Sequence, residues 1–377
     1  MSRPLRILLV FGGRSAEHEV SVASARSVLG ALDPARYEVV TVGIDKEGRW
    51  HLLPGPPALP PGASGQLPAV AAGAGTEVAL VREPGAHELV TDTGERRPFD
   101  VVFPMLHGPL GEDGTIQGLL ELAGIPYVGA GVLGSAVGMD KAVQKVLFRD
   151  AGLEVVPHVV VHERDWRDDP EAVEAAAADL GYPDFVKPAA LGSSVGVTKV
   201  YEPGHLARAV EEALRHGRKA LVEKAMEEAR ELEISVLGND DPVASVAGEI
   251  VPKGHEFYDY EAKYLDQHGA QLLVPAGIPA ETLEEAQRMA VAAFRAIDAA
   301  GMARVDFFLL PSGRLVVNEI NTIPGFTTIS MYPKLWEASG VTYPELVDRL
   351  IRLALERHEL ERGKARRGDA PTAPESS

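Results

Sequence analysis

Two apolar runs near the C-terminal end of the chain flank the short polar segment Pro311-Ser-Gly-Arg314. This pattern predicts a β-hairpin whose first strand carries Arg304 and Asp306 and whose second carries Glu319 and Asn321. A turn centred on the middle of the polar segment pairs residues whose numbers sum to 625. Asp306 then faces Glu319, and Arg304 faces Asn321. Because side chains alternate faces along a strand, all four are predicted to point to one side.

The facing carboxylates of Asp306 and Glu319 require a positive charge between them. Like charges directly opposite on a sheet are destabilising, and the opposed Cβ atoms lie only about 5 Å apart. Carboxylate and amide oxygens without His or Cys are ligands for a hard divalent cation, and Mg²⁺ usually completes its shell with water and phosphate oxygens. A solvated hairpin with scattered charges is the alternative, although both strands are otherwise apolar enough for a core.

Composition narrows the class of protein. A chain of 377 residues is long enough for two or three domains. It has no apolar run long enough to span a membrane, and its start lacks the features of a signal peptide. The absence of cysteine excludes disulfides and thiolate metal sites and suits a cytoplasmic protein. A net charge of −18 argues against general binding to nucleic acid.

Alternating strand and helix patterns open the chain. A strand at 5–11, a helix to about residue 32 and a strand at 37–44 form a βαβ unit. Residues 54–76 are rich in Pro, Gly and Ala and are predicted to form a long exposed loop, after which 99–106 is again a strand.

The predicted fold class is α/β and α+β, in three domains with a tail. The domains are an N-terminal Rossmann-like domain with a parallel sheet (1–138), a small central α+β domain (139–220) and a C-terminal α+β domain (221–360). A disordered tail (361–377) follows them.

The first loop, at residues 12–19, joins a strand to the start of a helix. It matches neither GxGxxG nor GxxxxGK[ST], so a nucleotide is not expected there. Glu17 and Glu19 can simply complement the helix dipole. Alternatively, Glu17 is a carboxylate at the carboxyl edge of the sheet, where it could hold a substrate ammonium group.

Two further glycine-rich segments follow strands. In the segment 107–118, four glycines favour a close backbone approach to a ligand, although His107 alone is more often structural. The segment 187–197 resembles a phosphate-covering loop with Lys187 as its charge, and a plain flexible turn is the alternative. Lys141 is a second candidate phosphate ligand, and the strand-like run 220–226 can present backbone groups to an adenine edge.

Three tyrosines lie within the seven residues 258–264, interleaved with charged side chains. An aromatic cluster covering the edge of a core is one explanation. The other is a lid whose Lys263 and Tyr264 reach into a site and exclude water when it closes.

Taken in order from about residue 5 to residue 350, these segments resemble the D-alanine–D-alanine ligase family of the ATP-grasp superfamily. Two stretches carry most of the resemblance: His107-Gly-x-x-Gly-Glu-Asp-Gly-x-Ile-Gln-Gly, and the hairpin from Gly301 to Gly325. The resemblance implies an ATP-grasp fold, with ATP between the central and C-terminal domains and the amino acids between the N- and C-terminal ones. It also implies ligation of two D-alanine molecules through an acyl phosphate, releasing ADP and phosphate, for peptidoglycan precursor synthesis.

The family's site residues carry over by position. Those implied for catalysis are Glu17, Ser193, Tyr264, Arg304, Gly325 and Ser330. Those implied for the amino acids are Glu17, His107, Lys263, Arg304, Gly325 and Ser330. Those implied for the nucleotide are Lys141, Lys187, Ser193, Glu223, Lys224, Met226, Glu231, Phe257 and Phe308. Those implied for about two Mg²⁺ or Mn²⁺ ions are Asp306, Glu319 and Asn321.

The roles implied are specific. Glu17 would bind the first ammonium group and form hydrogen bonds with Ser193 and Tyr264. Lys263 and Ser330 would receive the second carboxylate. Arg304 would stabilise the phosphorylated carboxylate.

The resemblance implies D-alanine and ATP as partners, with a homodimer and neither nucleic acid nor membrane. Tyr264 favours the dipeptide-forming type over relatives that use D-lactate or D-serine. Three alternatives stay open: a ligase with a different second substrate, a nucleotide-binding module without turnover, and a metal-dependent hydrolase. The Pro-rich insertion at 54–76 is the one departure from the family pattern.

Overall fold

The computed structural model describes residues 3–57, 68–81, 83, 85–252 and 270–368, without the side chains of 364–368. In chain order the elements are β1 (Leu5–Gly12), α1 (His18–Ala31), β2 (Tyr37–Ile44), β3 (Trp50–Leu53), β4 (Thr76–Leu80), β5 (Glu88–Thr91), β6 (Arg96–Pro98), β7 (Val101–Met105), α2 (Thr115–Leu122), α3 (Val132–Met139), α4 (Lys141–Asp150), β8 (His158–His162), α5 (Glu163–Asp168), α6 (Pro170–Leu180), β9 (Asp184–Pro188), β10 (Thr198–Val200), a 3-10 helix (Pro203–His205), α7 (Leu206–Leu214), β11 (Lys219–Lys224), β12 (Arg230–Gly238), β13 (Val243–Pro252), β14 (Ala270–Leu273), α8 (Ala280–Ala296), β15 (Gly301–Leu309), β16 (Leu315–Asn321), α9 (Met331–Ala338) and α10 (Tyr343–Gly368).

The N-terminal sheet has the strand order β6-β5-β4-β3-β2-β1-β7. Strand β1 is parallel to β2 and β7, which confirms the predicted parallel unit. Ile7 and Leu9 contribute to the core that includes α1 and α10, while Leu8 and Val10 belong to the cluster that includes α2. Burial on both faces explains why this strand is a continuous apolar run. The antiparallel strands β3–β6 extend the sheet and were not predicted, because each is short.

The central sheet has the order β10-β9-β11-β8, with antiparallel neighbours throughout. Apolar residues of α6 and α7 pack on it. All of β11, Lys219–Lys224, pairs within this sheet, so the domain boundary predicted at residue 220 is wrong: it divides a strand. The apolar run shows that a strand exists, but its sheet is decided by partners distant in the sequence. The boundary predicted at residue 138 stays a prediction.

The C-terminal sheet has the order β14-β13-β12-β15-β16 and its neighbours are antiparallel. Its apolar face packs on α8, where Ala290 and Phe294 lie against residues such as Ile234 and Val305. Its opposite face carries charged side chains from β12, β15 and β16. The predicted combination of α/β and α+β units is therefore confirmed.

The C-terminal helix α10 packs on the N-terminal core through Leu346, Leu350 and neighbouring side chains. It continues to Gly368, so the disordered tail predicted from residue 361 is wrong for 361–368. Residues 369–377 lie outside the described part of the chain. Good helix formers explain the continuation, and Arg357 lies 3.9 Å from Glu361 one turn later.

The Pro-rich insertion at 54–76 is only partly an exposed loop. Residues 58–67 lie outside the described ranges. Val70 is buried against Gly43, and its backbone N–H donates to His18 Nε2 at 2.9 Å. The last part of the insertion therefore packs on β2 and α1, which a composition dominated by small residues did not indicate.

Within the described ranges, no helix combines the length and the apolar character that a membrane crossing requires.

Candidate active site

Two adjoining cavities lie along the charged face of the C-terminal sheet. The first cavity, of about 590 Å³, is lined by residues of the C-terminal sheet and its loops, by loops of the N-terminal sheet, and by Lys141, Gly192 and Ser193. The second cavity, of about 650 Å³, is lined by residues of the central and C-terminal sheets. The residues that line both are Lys141, Gly192, Ser193, Glu233, Ile250, Arg304 and Glu319. The two cavities therefore meet at a group of charged and polar side chains.

The hairpin brings its four polar residues together as predicted. Arg304 pairs with Asn321 and Asp306 with Glu319 in the β15–β16 register. Arg304, Glu319 and Asn321 line the first cavity, while Asp306 lines the second. The prediction of one shared face is confirmed.

Beyond this group the predicted pairing is wrong by one residue. Phe307 faces Val317, because Asn318 is an extra residue on β16. The turn is therefore centred on Ser312. The extra residue offsets the difference at the turn, so the pairing near the site was predicted correctly although the assumed turn was not. An apolar run alone does not reveal such a bulge.

Cationic side chains lie beside the opposed carboxylates. Arg304 donates from Nε to Asp306 Oδ1 at 2.7 Å and from a guanidinium nitrogen to Asp306 Oδ2 at 2.8 Å. Its Nε is also 3.2 Å from Glu233 Oε1, and Lys141 Nζ is 3.3 Å from Glu319 Oε2. Burial disfavours the charged guanidinium, but Asp306 and Glu233 raise the pKa of Arg304 well above its usual value.

The predicted metal ligands offer hard oxygen donors. Among the described residues no group of three or more His, Cys, Asp or Glu side chains has the arrangement of a metal site. The predicted set has two carboxylates, Asp306 and Glu319, and one amide, Asn321, whose Oδ1 is oriented by the Ile323 N–H at 3.0 Å. Such a set fits Mg²⁺, which takes few protein ligands and fills its shell with water and phosphate oxygens.

Two buried lysines flank Glu223, which lines the second cavity together with Lys187. Lys187 Nζ lies 2.5 Å from Glu223 Oε2, and Lys145 Nζ lies 3.0 Å from Glu223 Oε1. Burial opposes the charge on Glu223, but the two lysines outweigh it and lower the pKa of this carboxyl. Burial also opposes the charge on Lys187, and Glu223 raises its pKa.

Eight predicted nucleotide residues line the second cavity. They are Lys141, Lys187, Ser193, Glu223, Lys224, Met226, Glu231 and Phe308. Phe257 lies outside the described residues. Lys224 Nζ donates to the carbonyls of Leu180 and Gly181, at 2.8 and 2.9 Å, so its ammonium group is held within the central domain.

The glycine-rich loop that precedes β10 approaches Glu17. Ser193 and Ser194 both have left-handed backbone angles, with φ of 51° and 58°. Such conformations are costly for residues other than glycine and concentrate at functional sites. Ser193 Oγ donates a hydrogen bond to Glu17, which was predicted from the resemblance.

Glu17 is buried, and two glycines allow the backbone to approach it. A Cβ on Gly108 would lie 2.7 Å from Glu17 Oε2, and a Cβ on Gly192 would lie 3.0 Å from the same oxygen. The Ser15 hydroxyl fixes the Glu17 loop by accepting from the Glu17 N–H at 3.1 Å and donating to the His107 carbonyl at 2.6 Å.

In Gly192→Ala we expect the Michaelis constant for the substrate whose ammonium group Glu17 is predicted to bind to rise about tenfold, which is roughly 1.4 kcal/mol of binding. The added methyl group must displace the Glu17 carboxylate by a few tenths of an ångström. Steady-state kinetics would measure the change. Gly204→Ala is the matched control, because nothing lies within 4 Å of a Cβ there. Equal constants for both variants and the wild type would contradict the proposed contact.

His107 lines the first cavity, as expected for a residue beside the substrate. Nδ1 lies 3.0 Å from the Ile323 carbonyl and so carries the proton, while Nε2 lies 3.0 Å from Ser24 Oγ. Ser24 Oγ in turn accepts from the Phe326 N–H at 3.2 Å. Burial lowers the pKa of His107 and so favours the neutral ring. Both ring nitrogens therefore serve to position the backbone on either side of Gly325.

Gly325 and Ser330 lie at the far wall of the first cavity. Ser330 Oγ is oriented by Thr327, whose N–H donates to it at 3.1 Å and whose hydroxyl lies 2.8 Å away. A Cβ on Gly325 would lie 3.0 Å from Ser330 Oγ, so the two residues are in close contact. Lys263 and Tyr264, the predicted lid residues, lie outside the described part of the chain.

Three charged residues that line the first cavity were not predicted. Glu233 faces Asp306 across β12 and β15, two residues after Glu231 on the same strand face, and this spacing was an available signal. Lys334 lines the first cavity one helical turn after Ser330. Glu112 lies within the His107 motif and also lines the first cavity.

Glu112 is buried and accepts a hydrogen bond from the Gly108 N–H at 2.6 Å. Burial, followed by the nearby charge of Glu17, raises the pKa of Glu112 to about 8. The folded chain therefore retains this proton where the unfolded chain has lost it. Stability from this group is fully present below its ordinary pKa and is lost as the pH rises through about 8.

Glu112→Gln should therefore leave the free energy of unfolding nearly unchanged at pH 5. At pH 9 the variant should be more stable than the wild type, because it has no proton to lose. Urea unfolding at both pH values would measure the difference, with the exposed Glu211→Gln as control. A variant that is equally destabilised at both pH values would contradict the prediction.

Comparison with known proteins is consistent with this geometry. The family model described as D-ala D-ala ligase N-terminus matches residues 6–130, and the one described as D-ala D-ala ligase C-terminus matches residues 147–352. The chain is 50% identical over 362 residues to a D-alanine–D-alanine ligase from Pseudarthrobacter chlorophenolicus, covering 93% of this chain and 94% of that protein. It is 51% identical over 357 residues to the ligase from Heliobacterium modesticaldum, covering 93% and 95%.

Solved structures agree. The D-alanine–D-alanine ligase from Coxiella burnetii superposes with a TM-score of 0.84 at 38% identity, covering 97% of this chain and 98% of that one. The VanG D-Ala:D-Ser ligase from Enterococcus faecalis superposes with a TM-score of 0.80 at 34% identity, covering 93% and 100%.

Proposed function

Because the chain belongs to the D-alanine–D-alanine ligase family and is an ATP-dependent ligase that joins two D-alanine molecules, we propose that its two cavities divide the substrates between them. The second cavity holds ATP, and the first holds both D-alanine molecules. The product, D-alanyl-D-alanine, serves peptidoglycan precursor synthesis.

The observation that carries this proposal is the wall common to both cavities. Lys141, Ser193, Arg304 and Glu319 line each of them. A γ-phosphate at the end of the second cavity would meet a carboxylate in the first cavity at this wall. The reaction needs such a meeting point, because two anions must come into contact for the phosphate to be transferred.

In the first step, Glu17 holds the ammonium group of the first D-alanine and so aims its carboxylate at the shared wall. A carboxylate oxygen attacks the γ-phosphorus, the bond to the β-γ bridging oxygen breaks, and ADP leaves. Lys141 and Lys187 supply positive charge to the phosphates, and Arg304 offers a guanidinium to the reacting carboxylate.

In the second step, the neutral amine of the second D-alanine attacks the acyl carbon and loses a proton, and the phosphate takes up that proton and leaves as hydrogen phosphate with the former carboxylate oxygen. Arg304 and the Gly325 N–H stabilise the oxyanion. Ser330 receives the second carboxylate. The family resemblance implies the same role for Lys263 and a hydrogen-bonding role for Tyr264 beside Glu17 and Ser193; both residues lie outside the described ranges. Lys334, one turn after Ser330, adds a positive charge to the same wall.

Asp306, Glu319 and Asn321 would hold Mg²⁺ or Mn²⁺, which neutralises phosphate charge when bound. Support for this assignment comes from their oxygen donors, which lie on one face of the hairpin where the two cavities meet. Arg304 has Glu233 as a second carboxylate partner, so its position does not depend on Asp306 alone. We also propose a cytoplasmic homodimer, in keeping with ATP as co-substrate and with the family resemblance.

A substrate panel tests the proposal. With ATP, Mg²⁺ and D-alanine alone or with D-lactate or D-serine, the dominant product should be D-alanyl-D-alanine, identified by mass spectrometry. The relatives at about 50% identity favour D-alanine over D-serine as second substrate, although VanG shares the fold. Phosphate release that needs ATP and metal but ignores D-alanine would refute the proposal, and so would a dominant mixed product.

A further inference from the structure

One extra residue in β16 decides which face of the C-terminal sheet carries Glu319. Strand β16 falls out of step with β15 between Glu319 and Val317, so Asn318 is bulged. If Asn318 were paired regularly, opposite Asp306, Glu319 would lie opposite Val305, whose side chain is fully buried in the apolar core. A shift of one residue moves each side chain to the other face. The bulge is therefore what brings Glu319 beside Asp306.

Two side chains of α4 hold this bulge. Lys145 Nζ donates to the Asn318 carbonyl oxygen at 2.7 Å, and Gln144 Oε1 accepts from the Ile320 N–H at 3.0 Å. Gln144 also donates to the Gly138 carbonyl at 2.8 Å. A bulge takes backbone groups out of the regular hydrogen bonds between strands, and buried groups then need other partners. Side chains of α4 provide these partners for the Asn318 carbonyl and the Ile320 N–H. Both side chains are fully buried, and in the described chain neither lines either cavity.

Lys145 also connects two sheets. Its Nζ lies 3.0 Å from Glu223 Oε1, and Glu223 is on β11 of the central sheet. Asn318 is on β16 of the C-terminal sheet. One ammonium group therefore joins the two sheets between which the second cavity lies. Asp140 caps the N-terminus of α4, where its side chain accepts hydrogen bonds from the N–H groups of Ala142 and Val143.

We propose that Gln144 and Lys145 are positioning residues for the ligase reaction: they fix the β16 bulge that presents Glu319 and Asn321, and Lys145 couples this bulge to Glu223. The inference rests on the proposed function for the assignment of the second cavity to ATP. Of the two side chains, Lys145 is the one paired with Glu223, so loss of Gln144 should disturb the metal ligands alone. Loss of Lys145 should disturb both the metal ligands and the nucleotide site.

The test uses full-length Gln144→Met and Lys145→Met, with the exposed Arg149→Met of the same helix as control. Calorimetry measures ADP binding without metal, and electron paramagnetic resonance measures Mn²⁺ binding to the enzyme–ADP complex. In Gln144→Met, Mn²⁺ binding should weaken about tenfold or more while ADP binding stays within about twofold of wild type. In Lys145→Met both should weaken by about tenfold or more, and Arg149→Met should match wild type.

Unchanged Mn²⁺ binding in folded Gln144→Met would overturn the inference, whether or not Lys145→Met folds. Equal losses of ADP and Mn²⁺ binding in the two variants would overturn the coupling through Lys145. A merely structural role would lower the unfolding temperature without this selective pattern. A wild-type chain that binds ADP and Mn²⁺ but forms no dipeptide would refute the proposed function and leave this inference intact.

Discussion

Turnover of Glu319→Gln is expected to fall by at least about a hundredfold, the usual cost of removing a preorganised electrostatic group. The change keeps the side-chain volume but removes a negative charge at the wall shared by the two cavities. Glu319 lies opposite Asp306 and 3.3 Å from Lys141, so the loss affects both the metal ligands and a phosphate lysine. Dipeptide formation measures the loss, and circular dichroism checks that the variant is folded.

The matched control is Glu154→Gln. Glu154 forms an ion pair with Arg314 at the turn of the same hairpin, where both side chains are largely exposed. Exposed ion pairs contribute little, so this variant should keep near-normal turnover. Near-normal activity in Glu319→Gln itself would mean that the metal is held elsewhere.

The second large effect is expected in Arg304→Lys, whose kcat should fall by at least about a hundredfold. Lysine keeps the charge but cannot reproduce the two parallel hydrogen bonds that Arg304 makes to Asp306. It also cannot offer a planar guanidinium to a carboxylate that is being phosphorylated. The Michaelis constant for ATP should change much less than kcat, because Lys141 and Lys187 remain in place.

Steady-state assays that measure ADP and dipeptide formation at several ATP concentrations would give kcat and the Michaelis constant for ATP separately. Arg314→Lys at the hairpin turn is the control. A variant that loses ATP affinity but retains kcat would assign Arg304 to nucleotide binding instead. A variant with wild-type values for both constants would remove Arg304 from the proposed mechanism.

The sequence predicted the central feature of the site because that feature depends on local alternation. Arg304, Asp306, Glu319 and Asn321 alternate with apolar residues, and strand geometry alone puts them on one face. The assumed turn shifted the predicted pairing next to it by one residue. The pairs Arg304–Asn321 and Asp306–Glu319 were nevertheless correct, because the bulge at Asn318 compensates for that shift. The bulge depends on Gln144 and Lys145 from a distant helix, which no local pattern reveals.

Residues whose role depends on distant contacts were harder to predict. The run that forms β11 was recognised, but its pairing with β8 and β9 was not, so the boundary at 220 fell inside a strand. Glu112 was visible in its motif, but its raised pKa comes from burial and from Glu17 in another loop. The helical end of α10 was missed because charged residues alone also describe a disordered segment.

The transfer of oxygen from D-alanine to phosphate tests the central claim most directly. With D-alanine labelled by ¹⁸O in its carboxylate, each dipeptide formed through an acyl phosphate must release phosphate that carries one labelled oxygen. Mass spectrometry of the released phosphate would measure the label. The account predicts one ¹⁸O transferred for each dipeptide made. Unlabelled phosphate, which means that water rather than the D-alanine carboxylate attacked the γ-phosphorus, would contradict it.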